Sequence, residues 1–422
     1  MLDIKFIREN KDIVAAGAKK KHIEIDLDAL IKTDDKRRAL LGEVEDMRAR
    51  QNKASDEIAT LPADARGAKI EEMKILKETL TKKGDELKTT MTEWQKRMVE
   101  VPNIPDISVP EGESDANNQE IKSWGEKPQF SFAPKNHVEI MAALDMADFE
   151  RGTKIAGFRG YVLKNDGVLL SLAIWNLALK FFADKGFSPM IVPSLARREN
   201  FLGTGFIPQG EEDLYKTQDG EYLAGTGEVA TMGYHMDEIL TKESLPKKML
   251  SFSPCFRREA GSHRRDVKGL IRVHEFYKWE QVILCEANHE TSVRFHEELN
   301  RNTEEFIESL GIPYRTVMNC SGDLGLGQVK KYDIELWVPM EGKYREIGSA
   351  SYFHDFQTRR LNIRYRDTDG AIRFAHSLNA TAIPTPRILV SLVENYQEED
   401  GSVVIPEALR PYMGKDKIVK KS

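Results

Sequence analysis

The chain has 422 residues, a net charge of −6 and 40% hydrophobic residues, a composition that excludes wholesale disorder and a uniformly basic nucleic-acid coat. No apolar run reaches the roughly 18 residues of a membrane span, and the first residues lack the apolar centre of a secretory signal, so a cytoplasmic protein with no membrane partner is expected. Cys255, Cys285 and Cys320 are odd in number and have no Cys-x-x-Cys spacing, which predicts reduced core thiols and no zinc.

Residues 30–100 are rich in Lys, Glu, Asp, Ala and Leu and predict two long helices. Leu40, Val44, Met47, Gln51, Ala54, Ile58 and Leu61 form a heptad seam in the first. Ile70, Met73, Lys77, Leu80, Gly84, Leu87, Met91, Trp94, Met98 and Val101 do so in the second. Between them Leu61-Pro-Ala-Asp-Ala-Arg-Gly67 supplies Pro62 and Gly67, expected to end one helix and turn the chain into an antiparallel hairpin of helices roughly 40 Å long. Such a hairpin serves either as a coiled-coil or packed structural element or as an arm reaching for a large partner. A Pro-rich, then acidic stretch follows from Val101 to Glu120 and reads as a linker. The expected organisation is an N-terminal domain over 1–105, a linker over 106–135, and a mixed helix-and-strand domain over 136–422.

The segment Phe256 to Glu280 reads as strand, polar loop, strand. Alternation along the strands puts Arg257 and Glu259 on one face, and Arg272, His274, Phe276, Lys278 and Glu280 on one face of the partner strand. Arginines neutralise phosphate or carboxylate with planar geometry, and an aromatic ring stacks on a base, so a nucleotide site is one reading and a solvated hairpin with scattered ion pairs the other. Glu346 and Ser349 offer hard oxygen ligands suited to Mg2+. Arg387 follows Pro386 at the start of an apolar helix pattern, where a cation opposes the helix dipole unless an anion sits beside it. No Gly-x-Gly-x-x-Gly turn, Gly-Lys-Ser/Thr loop or Gly-x-Ser-x-Gly elbow is present.

Phe256-Arg257 with Glu259, Arg272 and Phe276, Glu346 and the distant Arg387 together resemble motifs 2 and 3 of class II aminoacyl-tRNA synthetases. Lys185-Gly-Phe-Ser-Pro-Met-Ile-Val-Pro193 resembles motif 1, the dimer-interface motif. Phe256-Arg-Arg-Glu-Ala-Gly-Ser262, Arg272-Val-His-Glu-Phe276, Asp355-Phe-Gln-Thr-Arg-Arg360, Glu394-Asn-Tyr-Gln397 and Pro406-Glu-Ala-Leu-Arg-Pro-Tyr-Met413 are similar to the bacterial type of the seryl-tRNA synthetase family. The resemblance covers nearly the whole chain. It implies an α+β fold, in which an N-terminal antiparallel two-helix coiled-coil arm joins a catalytic domain built on an antiparallel β-sheet flanked by helices. It also implies a homodimer that activates L-serine with ATP and Mg2+ and transfers it to the 3'-hydroxyl of tRNA(Ser), and to tRNA(Sec). The arm would then grip the long variable arm of the tRNA.

By the same resemblance, Thr226 and Glu228 bind the substrate amino group, and Glu280 and Thr381 recognise the serine side chain. Arg257 holds the serine carboxylate and the ATP α-phosphate, Arg272 helps bind the phosphates, and Arg387 takes the γ-phosphate. Glu259 contacts the adenine amino group, Phe276 stacks on adenine, and Glu346 with Ser349 ligates Mg2+. Gly227, Arg258 and Trp279 depart from the family pattern. His263-Arg-Arg265 makes the motif 2 loop more basic than usual, which suggests contact with the tRNA acceptor end. Two further readings compete: a relative that loads an amino acid onto a carrier protein, which would lack the arm, and a catalytically silent paralogue acting as a binding protein.

Overall fold

The computed structural model describes residues 1–60, 62–261, 266 and 268–420. Two compact units are distinguished, one formed by Leu2–Lys19 and Ile23–Pro102, the other by Met1, Lys20–His22 and Asn103–Ser422.

The smaller unit is dominated by α1 (Leu27–Thr60) and α2 (Ala63–Glu100). Leu40 and Val44 of α1 are buried with Leu87 of α2, and Leu80 packs against them. Arg37 lies over the Trp94 ring at 4.6 Å, Lys36 pairs with Glu86 at 3.0 Å and Glu43 with Lys83 at 2.8 Å, a pairing that runs the helices antiparallel. Two details differ from the sequence reading. Gly67 lies inside α2, which begins directly after Pro62, so the glycine breaks nothing; a mid-helix glycine costs only about 1 kcal/mol. Ile70, Lys77 and Met91 are exposed, so the buried seam does not follow a strict heptad through these positions. Leu61 lies outside the described residues.

The larger unit is built on an eight-stranded sheet: β1 (Gln119–Trp124), β2 (Ser188–Ile191), β3 (Lys247–Phe256), β4 (Glu275–Cys285), β5 (Tyr314–Met318), β6 (Lys330–Val338), β7 (Lys343–His354) and β8 (His376–Thr385). The spatial order is β1-β5-β6-β7-β8-β4-β3-β2, antiparallel throughout except where β2 joins β3. The edge strand β1 falls within the stretch expected to be a linker. Its sequence, Gln-Glu-Ile-Lys-Ser-Trp, pairs with β5 while its side chains stay largely in solvent, so it carries little apolar signal.

Strand alternation divides the residues of β3 and β4 between two faces. Leu250, Trp279 and Ile283 turn to one side, into the main core with Ile174 and Phe182 of α3 (Asp166–Asp184), Phe295, Leu299 and Phe306 of α4 (His289–Ser309), and Leu389 of α5 (Arg387–Asn395). The long apolar helix α3 is long and hydrophobic enough by composition to cross a membrane, but Leu170, Ala173, Ile174, Ala178 and Phe182 on its inner side belong to this core. The other face is apolar at one end, where Met249, Val282 and Leu284 meet Met232, Leu361 and Ile363. At its other end the same face turns polar.

Candidate active site

The polar end of that face is a row of cross-strand neighbours: Phe276 opposite Cys255, Lys278 opposite Ser253, and Glu280 opposite Ser251 on one side and Thr381 on the other. Glu280 meets Thr381 because β8 holds one extra residue, Ala382, where the register shifts between Trp279 and Glu280. A second bulge shapes β7: Gly348 pairs with Ile334 and Glu346 with Glu335, leaving Ile347 as the extra residue. Residues three apart on a regular strand face opposite ways, and this bulge returns Glu346 and Ser349 to one side.

Thr226, Glu228, Glu280 and Thr381 are all buried and neighbour one another, which makes them the walls of a candidate amino-acid pocket. The Lys278 ammonium pairs with the Glu280 carboxylate and donates to Thr226 Oγ1 at 2.9 Å. Glu228 opens a short helix, Glu228–Gly233, and its Oε1 accepts from Gln357 Nε2 at 2.6 Å. Burial, reinforced by the neighbouring Glu280 charge, pushes the Glu228 carboxyl up to about 7, against the pull of Gln357 and Lys278. The walls are close. A Cβ on Gly227 would lie 2.7 Å from Ser251 Oγ, and a Cβ on Gly348 would lie 2.5 Å from Thr381 Cβ. The departure at Gly227 therefore has a physical reason, since this turn rests directly on β3.

Beside the pocket lie the arginines. Arg257 follows the end of β3, donates from Nε to Gly225 O at 3.3 Å, and stands 5.3 Å from the centroid of the Phe276 ring. Arg272 is ion-paired with Glu259 and lies 3.5 Å from Asp266. Arg387, the first residue of α5, donates to Ile271 O at 2.8 Å and to Glu346 O at 2.9 Å. Burial holds Arg387 below the usual guanidinium range, with Glu346 opposing and the Arg257 and Arg272 charges adding to the effect. Three mutually repelling guanidinium groups gathered on one face form a cradle for a polyanion.

Glu346 and Ser349 supply two oxygen donors. Among the described residues no group of three or more His, Cys, Asp or Glu side chains is arranged to hold a metal ion. An ion here would take most of its ligands from phosphate and water, which is how Mg2+ binds beside nucleotides.

Ten of the eleven expected residues are linked to one another by contacts or strand pairing, and Ser349 stands on β7 one residue beyond Gly348; one detail of their placement differs. Arg272 and His274 precede β4, which starts at Glu275, and Arg257 lies beyond β3, so these side chains are placed by loop geometry rather than by strand alternation. The Arg258 side chain donates to Glu212 O at 2.8 Å, and Trp279 packs on Phe252 on the helix-covered face, so neither departure enters the pocket. His263, Arg264 and Arg265 lie outside the described residues. The sequence reading put Lys278 on the face of Phe276 and Glu280 and Gln357 in a family motif but gave neither a role, and it did not single out Gly348.

An antiparallel sheet with this row of arginines, aromatic and carboxylates is the architecture of the class II aminoacyl-tRNA synthetases. Residues 215–396 match the class II tRNA synthetase core domain of the glycine, histidine, proline, serine and threonine enzymes, and residues 1–105 match the seryl-tRNA synthetase N-terminal domain. The chain belongs to the seryl-tRNA synthetase family, enzymes that ligate serine to tRNA. The serine–tRNA ligase of Deinococcus radiodurans is 44% identical, the match covering 98% of each chain, and that of Dictyoglomus turgidum is 42% identical over the full length of both. The crystal structure of seryl-tRNA synthetase from Pyrococcus horikoshii complexed with ATP superposes with a TM-score of 0.89 at 37% identity, covering all of both chains.

Proposed function

We propose that this protein activates L-serine with ATP to seryl-adenylate and transfers the seryl group to the 3'-hydroxyl of tRNA(Ser), and to tRNA(Sec). The observation that carries this reading is the buried pocket of Thr226, Glu228, Glu280 and Thr381 beside the cradle of Arg257, Arg272 and Arg387. The serine carboxylate is ionised at neutral pH and needs no general base. The rate comes from orientation and from charge stabilisation on the phosphates.

In this reading the serine ammonium docks on Glu228 and Thr226, and its hydroxyl on Glu280 and Thr381. Arg257 reaches both the carboxylate and the α-phosphate and so aligns nucleophile with electrophile. Arg272 and Arg387 stabilise the negative charge on the remaining phosphates. Phe276 stacks on the adenine, and Glu259 reads its amino group. Glu346 and Ser349 hold Mg2+, which neutralises phosphate charge when bound. A substrate without the hydroxyl leaves the polar groups of Glu280 and Thr381 unmatched, a loss that discriminates strongly against alanine. Gly227 and Gly348 keep the pocket walls close and oppose the extra methyl of threonine.

Residues 1–105 form the tRNA-binding unit in this proposal, 136–422 the catalytic domain, and 106–135 join them. Val168, Leu169 and Leu172 on the outer side of α3, with Ile191 on the edge strand β2, present the apolar surface that a second copy would cover in a homodimer. The arm argues against a carrier-protein acceptor, and the complete site argues against a silent paralogue. A cytoplasmic location follows from the substrates. The test is incorporation of labelled serine into total tRNA, with alanine and threonine as controls. Serine-only charging is expected. Serine-dependent pyrophosphate exchange without charging would refute the tRNA acceptor.

A further inference from the structure

The amino-acid pocket contains three ionisable side chains that are almost wholly enclosed: Glu228, Lys278 and Glu280, at 5%, 5% and 3% exposure. Two carboxylates face one ammonium, so these three side chains are one positive charge short among themselves, while Arg257 in the proposed reading serves the substrate carboxylate. The deficit is not shared evenly. Lys278 stands two residues before Glu280 on the same face of β4, and its ammonium pairs directly with the Glu280 carboxylate. Glu228 instead receives the neutral amide of Gln357 at 2.6 Å. Its distance from full charge compensation also appears in the raised carboxyl of Glu228, for which burial and Glu280 outweigh Lys278.

We propose that Lys278 is a positioning and specificity residue: by neutralising Glu280 it makes that carboxylate an acceptor for a neutral hydroxyl, and leaves Glu228 as the one carboxylate that demands a cation. The inference rests on the reading that this pocket takes L-serine. An amino acid carries one ammonium, which then has one place to go, and the hydroxyl falls to Glu280. The hydrogen bond from Lys278 to Thr226 Oγ1 at 2.9 Å ties the same ammonium to the other wall, so one side chain fixes the geometry of both subsites. Without the Lys278 charge, both carboxylates would demand cations. An unpaired buried carboxylate is costly, and it is relieved either by taking up a proton or by a second positive charge on the substrate.

The test measures ATP–pyrophosphate exchange with L-serine and with L-2,3-diaminopropionate, in which an ammonium replaces the hydroxyl at nearly the same size. The full-length protein is compared with Lys278→Met, Lys278→Gln and Lys278→Arg. The wild type is expected to prefer serine, and so is Lys278→Arg, which keeps the charge. Lys278→Met is expected to lose on the order of 100-fold in kcat/KM for serine, as for a buried charge left unpaired. Its ratio of diaminopropionate to serine activity is expected to rise by about tenfold or more, the effect of roughly 1.4 kcal/mol of new charge pairing. A purely structural role would depress both substrates together and leave the ratio unmoved. If circular dichroism shows Lys278→Met to be unfolded, the ratio is read in Lys278→Gln, whose amide keeps hydrogen bonding without charge. A ratio unmoved in the folded uncharged variant overturns the proposal while serine exchange by the wild type keeps the pocket reading intact. Absence of serine exchange in the wild type overturns both.

Discussion

The hairpin arm and the main sheet treat charge in opposite ways. Along α1 and α2 most charged groups, the buried Asp34 apart, stand in solvent around a narrow apolar seam, and pairs such as Glu43–Lys83 are half-exposed and screened. On the sheet Glu228, Lys278 and Glu280 are inside and held by named partners, at the polar end of a face whose other end is apolar. A long charged helix surface is cheap to build and can meet a polyanion anywhere along its length. An enclosed charge is expensive, and its cost is justified where chemistry needs a fixed field.

The sharpest way to break this contrast is to shorten the arm. Excising residues 45–80 and closing the hairpin with a short glycine-serine turn is expected to abolish tRNA charging while leaving serine-dependent pyrophosphate exchange unchanged; loss of exchange would show that the arm supports the sheet chemistry itself. Next in size, Arg257→Ala is expected to lower exchange by on the order of 100- to 1,000-fold, as for a lost charge-stabilising donor, with the thermal midpoint little altered.

A pH series sharpens the same point for an enclosed carboxylate. Glu228 must be ionised to receive an ammonium, and in the free protein it takes up its proton at about 7. Serine binding therefore releases a proton below that pH, and the KM for serine is expected to rise as pH falls from 8 to 6, up to about tenfold per unit in the lower part of the range. Glu228→Gln is expected to bind serine weakly with a flat profile, and a sloping profile in that variant would assign the titration elsewhere. In the arm, Leu87→Ala is expected to remove about 2 kcal/mol of helical stability, seen by circular dichroism as earlier melting, with exchange untouched. The smallest effect is expected from Lys83→Ala, whose exposed partner Glu43 keeps its water, and charging should not measurably change.

Much of this was legible in the sequence where a local pattern and a chemical requirement coincide. The arm announced itself by composition, and the site by charges placed where a strand ought to be apolar. What stayed hidden depends on contacts between distant segments. The bulge residues Ile347 and Ala382, which aim Glu346, Ser349 and Thr381, show no local signature because a bulge is a property of two strands. Strand β1 was missed because an edge strand in water needs no apolar stripe. Lys278 was placed on the face of Phe276 and Glu280, but its role needed the distant Thr226, to which it donates.

The two glycines that line the pocket, Gly227 against Ser251 and Gly348 against Thr381, bear on how this protein can change over generations. At both positions the side chain is already as small as an amino acid allows, but a replacement at Gly348 meets Thr381 Cβ and must move a strand, whereas one at Gly227 meets the Ser251 hydroxyl, which can turn aside. Descent from this sequence by single substitution therefore has more room at Gly227, where the family pattern carries other residues, than at Gly348, where a carbon of the neighbouring strand already fills the space.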